Sequence, residues 1–156
     1  MVNVLFVCLG NICRSPTAHG VFQQVVLEAG LGRKIYIDSA GTGDWHVGCA
    51  PDQRALTVAK RRGYDMSDLI ARQVSANDFD RFHYVLAMDK QNLANLQHLQ
   101  PKKYKGYLGL FLEFARHHEL EEVPDPYYGG DSGFDDVLDM VEDASQGLLE
   151  HIKQRL

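Results

Sequence analysis

The stretch that most constrains the fold is Val2–Val7, a nearly continuous apolar run that is rich in β-branched side chains. Such a run is typical of a strand that is buried on both faces, as in a parallel sheet covered by helices. Three later runs are also predicted to be strands: Ile35–Ala40, Tyr84–Met88 and Tyr107–Leu110.

Helical patterns alternate with these strands. Helices are predicted from Ser15 to Gly30, over Asp52–Arg62, and from Phe134 to Ile152, with a short one near Ser75–Asp78. A further helix is predicted as far as Gln100, with Asp89 as its N-cap. This alternation predicts an α/β fold, specifically a three-layer α/β/α arrangement around a central four-stranded parallel sheet. The sequence contains no repeat or linker, so residues 1–156 are predicted to form a single domain.

Charge and cysteine usage exclude several classes of protein. The formal net charge of −5 argues against nucleic acid as the main partner, and no apolar stretch is long enough for membrane insertion. The cysteines are Cys8, Cys13 and Cys49, an odd number that fits free thiols in a reducing compartment. A cytoplasmic protein is therefore expected, and it needs no disulfide to hold its core.

A thiol stands where the first predicted strand ends. Ligands of open parallel sheets bind beyond the carboxyl ends of the strands, and Cys8 lies at that edge. Ser15 is a favoured helix N-cap and Pro16 a favoured first helical residue, so a helix is predicted to begin there. The N–H groups of its first turn would face Cys8, and a helix N-terminus attracts anions.

The residues between the thiol and this helix suit a phosphate-binding loop. Gly10 and Asn11 tolerate the left-handed backbone of a tight loop, whose N–H groups can then converge on an anion. Arg14 adds a planar fork of donors that matches phosphate oxygens. Donors of this kind also stabilise a thiolate, so Cys8 is predicted to attack phosphorus and form a phosphocysteine intermediate.

Three different roles for this stretch agree less well with its residues. A buried structural Cys8 with a surface Arg14 would leave the positions of the glycine, asparagine and Ser-Pro unexplained. A nucleotide-binding P-loop requires a lysine after its second glycine, and the stretch has none. A zinc site would need a second pair of ligands besides Cys8 and Cys13.

Two segments, "VCLGNICRSP" (Val7–Pro16) and "PDPYYGG" (Pro124–Gly130), resemble the phosphate loop and the general-acid loop of the low-molecular-weight protein tyrosine phosphatases. The resemblance extends over essentially the whole chain. It implies a phosphatase I-like fold and hydrolysis of phosphotyrosine in protein substrates and of aryl phosphates, without a metal or another cofactor. A monomer or weak dimer is expected.

The resemblance also implies roles for individual residues. Cys8 would be the nucleophile, Arg14 the phosphate clamp and Asp125 the general acid and base. The substrate would be bound by loop residues and by aromatic walls: Leu9, Gly10, Asn11, Ile12, Cys13, Ser15, Trp45, Tyr127 and Tyr128. The residues alone do not single out Asp125, because Asp131, Asp135 and Asp136 lie in similar surroundings.

The sequence departs from the family pattern around Asn11. Many animal members support this asparagine with a histidine and a serine, but here Leu69 and Gly43 occupy those positions. Thr42 or backbone groups are therefore expected to support Asn11 instead. The absence of both side chains favours a bacterial member.

Different activities are also compatible with the same fold. Arsenate reductases need two further cysteines downstream, which this chain lacks around Tyr84–Asn95. Arginine phosphatases carry threonine at the position of Ile12, whereas an apolar residue suits an aromatic ring. A phosphate-binding module without activity would lack a catalytic group. Finally, Cys13 is close enough to Cys8 in sequence to form a disulfide that would make the enzyme redox-sensitive.

Overall fold

One parallel sheet with four strands forms the centre of the computed structural model, which describes residues 1–127 and 132–156. The strands are β1 (Val2–Cys8), β2 (Ile35–Gly41), β3 (Tyr84–Ala87) and β4 (Tyr107–Leu110). They are arranged in the order β2-β1-β3-β4, and all neighbours run parallel. The strand predictions are confirmed, with end points that differ by one residue at most.

The helices connect these strands as the sequence predicts. They are α1 (Arg14–Glu28), α2 (Gln53–Arg61), α3 (Asp78–Arg81), α4 (Lys90–Leu99) and α5 (Ser132–Lys153). Asp52 and Asp89 cap α2 and α4, because their carboxylates accept the N–H groups of Arg54 and Asn92. A short 3₁₀ helix at Phe111–Phe114 was not predicted. Within the described ranges, no helix is both long and apolar enough to cross a bilayer.

The predicted start of the first helix is wrong. Helix α1 begins at Arg14, with Cys13 as its N-cap and no side-chain capping bond. Ser15 is the second residue of the helix rather than its cap. Its hydroxyl is instead bonded to the side chains of Asn11 and Cys8, so the serine serves the preceding loop.

Two hydrophobic clusters cover the two faces of the sheet, which confirms the three-layer fold. On one face, Phe6 of β1 packs edge-to-face against Phe22 of α1 and Phe111, with α5 alongside. On the other face, alternate residues of β1 such as Leu5 pack with Leu96 of α4. Because both faces are buried, the carboxyl edge of the sheet remains as the place for a pocket.

One glycine gives a test of this packing. Gly147 lies inside α5, and a Cβ atom there would overlap the carbonyl group of Phe114. Alanine normally stabilises a helix by about 1 kcal/mol relative to glycine. Here the overlap would push the 3₁₀ helix that contains Phe114 away from α5. We expect Gly147→Ala to destabilise the protein by about 1–3 kcal/mol, measured by urea unfolding.

Gly133 provides the matched control, because it lies in the same helix and its added Cβ would make only ordinary contact with Pro126. Gly133→Ala should leave the free energy of unfolding unchanged or raise it slightly. Equal stability of the Gly147→Ala variant and the wild type would contradict the packing described here.

Candidate active site

A pocket of about 410 Å³ opens at the carboxyl edge of the sheet, where β1 ends. It is lined by sequence-predicted residues, namely Cys8, Leu9, Gly10, Ile12, Cys13, Arg14, Trp45, Asp125 and Tyr127. Asn11 and Ser15 were expected among the substrate-binding residues, but both are buried and do not line the pocket. Tyr128 lies outside the described residues.

The sulfur of Cys8 accepts hydrogen bonds in this pocket. The backbone N–H of Asn11 lies 3.3 Å from Sγ, and the Ser15 hydroxyl lies 3.0 Å from it. Since Ser15 Oγ already accepts a bond from the Asn11 amide at 2.7 Å, its own proton is available to the sulfur. The other acceptor near that hydroxyl, the Ala40 carbonyl, is farther away at 3.4 Å. Two donors therefore point at the sulfur that the motif identifies as the nucleophile.

The backbone of the phosphate loop, residues 8–14, is held from outside. Carbonyl groups of the loop accept N–H groups from neighbouring segments: Cys8 from Thr42, Leu9 from Gly43, and Ile12 from Asp52. Within the described part of the chain, the N–H groups of Gly10, Ile12 and Cys13 have no acceptor. With its carbonyls turned outward, the loop presents amide donors that suit a bound anion.

Asn11 fixes the shape of this loop. Its φ of 57° is in the left-handed region, which asparagine tolerates better than most residues. Its side-chain oxygen accepts the backbone N–H of Arg72 at 3.1 Å, which confirms that a backbone group supports Asn11. The alternative prediction, that Thr42 supports Asn11, is wrong, because the Thr42 hydroxyl has no hydrogen-bond partner among the residues that the structure describes. Sequence patterns could not identify Arg72, which is distant in the chain.

Arg14 is almost fully buried at the side of the pocket, with its guanidinium held in place. One nitrogen, Nη1, donates to Asp89 Oδ2 at 2.7 Å and to the Val123 carbonyl at 3.0 Å. The other, Nη2, lies 3.7 Å from Asp125 Oδ2. Asp89 therefore binds Arg14 with one carboxylate oxygen and caps α4 with the other. Sequence patterns identified the cap but gave no sign of the contact with Arg14.

Asp125 lies across the pocket on a partly exposed loop. The Tyr127 N–H donates to Asp125 Oδ1 at 3.0 Å, which orients the carboxylate. The loop is attached to the sheet edge because the N–H of Val123 bonds to the carbonyl of Met88. Thus the residue that the family resemblance selected lies beside Arg14, in the same pocket as Cys8.

The mouth of the pocket is apolar and aromatic. Trp45 is 70% exposed and Tyr127 is 38% exposed, whereas Ile12, which also lines the pocket, is buried. His46 also lines the pocket, where its ring contacts Gly10 closely enough that a Cβ there would collide with it. His46 was not predicted from the sequence, although it is adjacent to Trp45 in the same glycine-flanked loop.

Cys13, the second thiol of the loop, is buried beside a carboxylate. Burial, together with the charge of Asp52, raises the pKa of Cys13 to about 12, so this group is a neutral thiol at physiological pH. Cys8, Cys13 and Cys49 are all unbridged. A neutral Cys13 reacts slowly with an oxidised Cys8, and the disulfide between them stays a prediction.

No group of three or more histidine, cysteine or acidic side chains is placed to hold a metal ion in the described part of the chain. The site consists of a thiol, a guanidinium, a carboxylate and backbone amides. This set can bind an oxyanion, attack it with sulfur and exchange a proton with it.

Comparison with known proteins agrees with this chemistry. The family model described as "Low molecular weight phosphotyrosine protein phosphatase" matches residues 3–156. A relative of that name from Schizosaccharomyces pombe is 47% identical over 97% of both chains.

Solved structures show the same similarity. A protein tyrosine phosphatase from Entamoeba histolytica has a TM-score of 0.95 and 42% identity, covering 99% of this chain and 98% of its own. The arginine phosphatase of Drosophila has a TM-score of 0.90 and 32% identity, with 98% of each chain covered. With the phosphate loop, the buried arginine and the loop aspartate all in place, the chain belongs to the low-molecular-weight phosphotyrosine protein phosphatase family.

Proposed function

We propose that this protein hydrolyses phosphotyrosine in protein substrates, and aryl phosphates in general, through a phosphocysteine intermediate. The observation that carries the proposal is the grouping of three functional side chains in one pocket. Cys8 lies with the loop amides at the end of β1, and Arg14 and Asp125 line the same pocket with 3.7 Å between Nη2 and Oδ2. All of these groups come from one chain, so a monomer or weak dimer would have a complete site.

In the first step, the Cys8 thiolate attacks the phosphorus atom from below. An S–P bond forms while the bond from phosphorus to the tyrosine oxygen breaks. The loop N–H groups and Arg14 bind the three non-bridging oxygens and stabilise the charge that develops on them. Asp125, in its protonated form, gives its proton to the departing phenolate oxygen.

In the second step, water replaces the sulfur. Asp125 is now a carboxylate, and it accepts a proton from the attacking water as the new P–O bond forms. The S–P bond breaks, and the thiolate leaves with its charge stabilised by the Ser15 hydroxyl and the Asn11 N–H. Inorganic phosphate is released, and Asp125 is again protonated for the next substrate.

The pocket walls support a preference for aromatic substrates. Trp45 and Tyr127 both line the pocket, and contact of a substrate phenyl ring with such side chains would contribute about 0.5–1.5 kcal/mol beyond area burial. Ile12 would contact the edge of the same ring. The free thiols of the chain suit a reducing compartment, and we place the protein in the cytoplasm.

Arginine phosphatase activity is the second candidate, because a solved arginine phosphatase shares this fold at 32% identity. Ile12 separates the two activities. We expect the wild type to prefer phosphotyrosine over phosphoarginine, and Ile12→Thr to reduce that preference by about tenfold through lost apolar contact with the ring.

The measurement is kcat/KM for a phosphotyrosine peptide and for a phosphoarginine peptide of the same sequence. Ile70→Thr is the matched control, since Ile70 is exposed and does not line the pocket. A wild type that turns over phosphoarginine faster than phosphotyrosine would replace the proposed function with the second candidate.

A further inference from the structure

Arg72 lies outside the pocket, in a network of ion pairs that joins three segments of the chain. Its guanidinium donates two bonds to Asp78, to Oδ2 at 3.1 Å and to Oδ1 at 3.0 Å. Its Nε donates to Asp38 Oδ2 of β2 at 3.1 Å. The side chain of Asp78 is 5% exposed, and it also accepts the N–H of Ser75 at 2.9 Å.

The charges in this network depend on each other. Burial by itself would lower the pKa of Arg72, but hydrogen bonds and charges from Asp78 and Asp38 outweigh it and raise the pKa. The arginine is thus a permanent cation between two carboxylates. Two ionic hydrogen bonds in a fork also fix the orientation of the side chain, and hence of the backbone that carries it.

That backbone reaches the catalytic loop directly. The N–H of Arg72 bonds to the side-chain oxygen of Asn11, while its carbonyl accepts the N–H of Gly41 at the end of β2. Asn11 in turn gives its backbone N–H to the sulfur of Cys8 and its amide to Ser15. Arg72 and Asn11 therefore connect the ion pairs to the hydrogen-bond donors on the sulfur.

We propose that Arg72 is a positioning residue, whose anchoring by Asp38 and Asp78 sets the orientation of Asn11 and through it the hydrogen bonds that the Cys8 sulfur accepts. The inference rests on the proposed function, in which Cys8 reacts as a thiolate. It assigns to this network the support that Leu69 and Gly43 cannot give.

The physical reason lies in the backbone of Asn11. A left-handed residue with φ of 57° persists only where its surroundings hold it. The Arg72 N–H binds the side chain of Asn11 from outside the loop. If segment 71–74 moves, Asn11 can relax, so the sulfur loses the Asn11 N–H and the Ser15 hydroxyl loses the amide bond that directs its proton to the sulfur.

The test measures how fast iodoacetamide alkylates Cys8 across the mildly acidic to neutral range, by mass spectrometry of its peptide. The reaction needs only a thiolate, so it does not depend on phosphatase activity. Besides the loop amides and the Ser15 hydroxyl, the titratable and charged groups that line the pocket with Cys8 are Cys13, Arg14, His46, Asp125 and Tyr127, and Asp89 pairs with Arg14. The substitutions below leave all of them in place.

Arg72→Ala should slow the alkylation of Cys8 by about tenfold at mildly acidic pH, and displace its pH curve by about one unit toward alkaline pH. kcat/KM for an aryl phosphate should fall in parallel. Asp38→Asn removes the more exposed carboxylate and leaves the Asp78 pair intact, so it should give a smaller change in the same direction. If Arg72→Ala does not fold, the alkylation curve of Asp38→Asn tests the proposal instead.

Arg62→Ala is the matched control. Arg62 also binds several carboxylates, those of Asp135, Asp139 and Glu142, but it has no contact with the phosphate loop. It should lose stability without any change in the alkylation curve. Curves for Arg72→Ala and Asp38→Asn that coincide with the wild type, or an equal displacement in Arg62→Ala, would overturn the inference. A displaced curve in a protein without phosphatase activity would instead refute the proposed function alone.

Discussion

Replacement of Cys8 by serine is expected to lower kcat for aryl phosphates by more than about a thousandfold, which corresponds to about 4 kcal/mol of lost transition-state stabilisation. A serine hydroxyl is not ionised under the donors that hold the thiolate, so it is a much weaker nucleophile. The loop amides and Arg14 remain in Cys8→Ser. The variant should therefore still bind inorganic phosphate, which can be measured by calorimetry.

Cys49→Ser is the control for a general effect of losing a thiol. Cys49 is exposed and lies outside the pocket, so this variant should keep wild-type turnover. Near-native activity in Cys8→Ser would rule out sulfur as the nucleophile. Loss of phosphate binding together with activity would mean that the substitution had disrupted the loop itself.

The second large effect is expected for Asp125→Asn. An asparagine can keep the hydrogen bond from the Tyr127 N–H, but it cannot give a proton to the leaving phenolate. Loss of a general acid typically costs about 10²–10⁴-fold, and we expect kcat/KM for phosphotyrosine to fall within that range. The fall should be small for dinitrophenyl phosphate, whose phenolate leaves without protonation.

Asp135→Asn provides the comparison, since Asp135 is an exposed acid of α5 that pairs with Arg62 rather than Arg14. Asp135→Asn should leave kcat/KM unchanged for both substrates. If kcat/KM, which reports the first step alone, fell equally for phosphotyrosine and dinitrophenyl phosphate in Asp125→Asn, Asp125 would not be the proton donor.

Local patterns in the sequence predicted most of the fold, because strand burial and helix capping depend on residues that are close together in the chain. Val2–Val7 and the later apolar runs form the four strands, and Asp89 caps the following helix as expected. The failure at Ser15 has a tertiary cause. Its hydroxyl bonds to the side chains of Asn11 and Cys8, so the rule for helix caps does not apply.

The part of the candidate site that could be predicted is the part that lies within one short segment of the sequence. Cys8 and Arg14 stand in one contiguous motif, and their chemistry can be derived from it. Asp125 was selected only through the family resemblance, since nothing local distinguishes it from other loop acids. The contacts of Asp89 with Arg14 and of Arg72 with Asn11 join residues 75 and 61 positions apart. Such pairings follow from the strand order, which places the ends of β1, β2 and β3 side by side.

The most direct test of the proposed chemistry is to locate the phosphoryl group on the enzyme during turnover. Asp125→Asn should form the intermediate from dinitrophenyl phosphate but hydrolyse it slowly, since the base for water is missing. Quenching with denaturant, digestion and mass spectrometry should then find one phosphoryl group on the sulfur of Cys8. A phosphoryl group on another residue, or steady turnover with no covalent phosphate at all, would contradict the phosphocysteine mechanism.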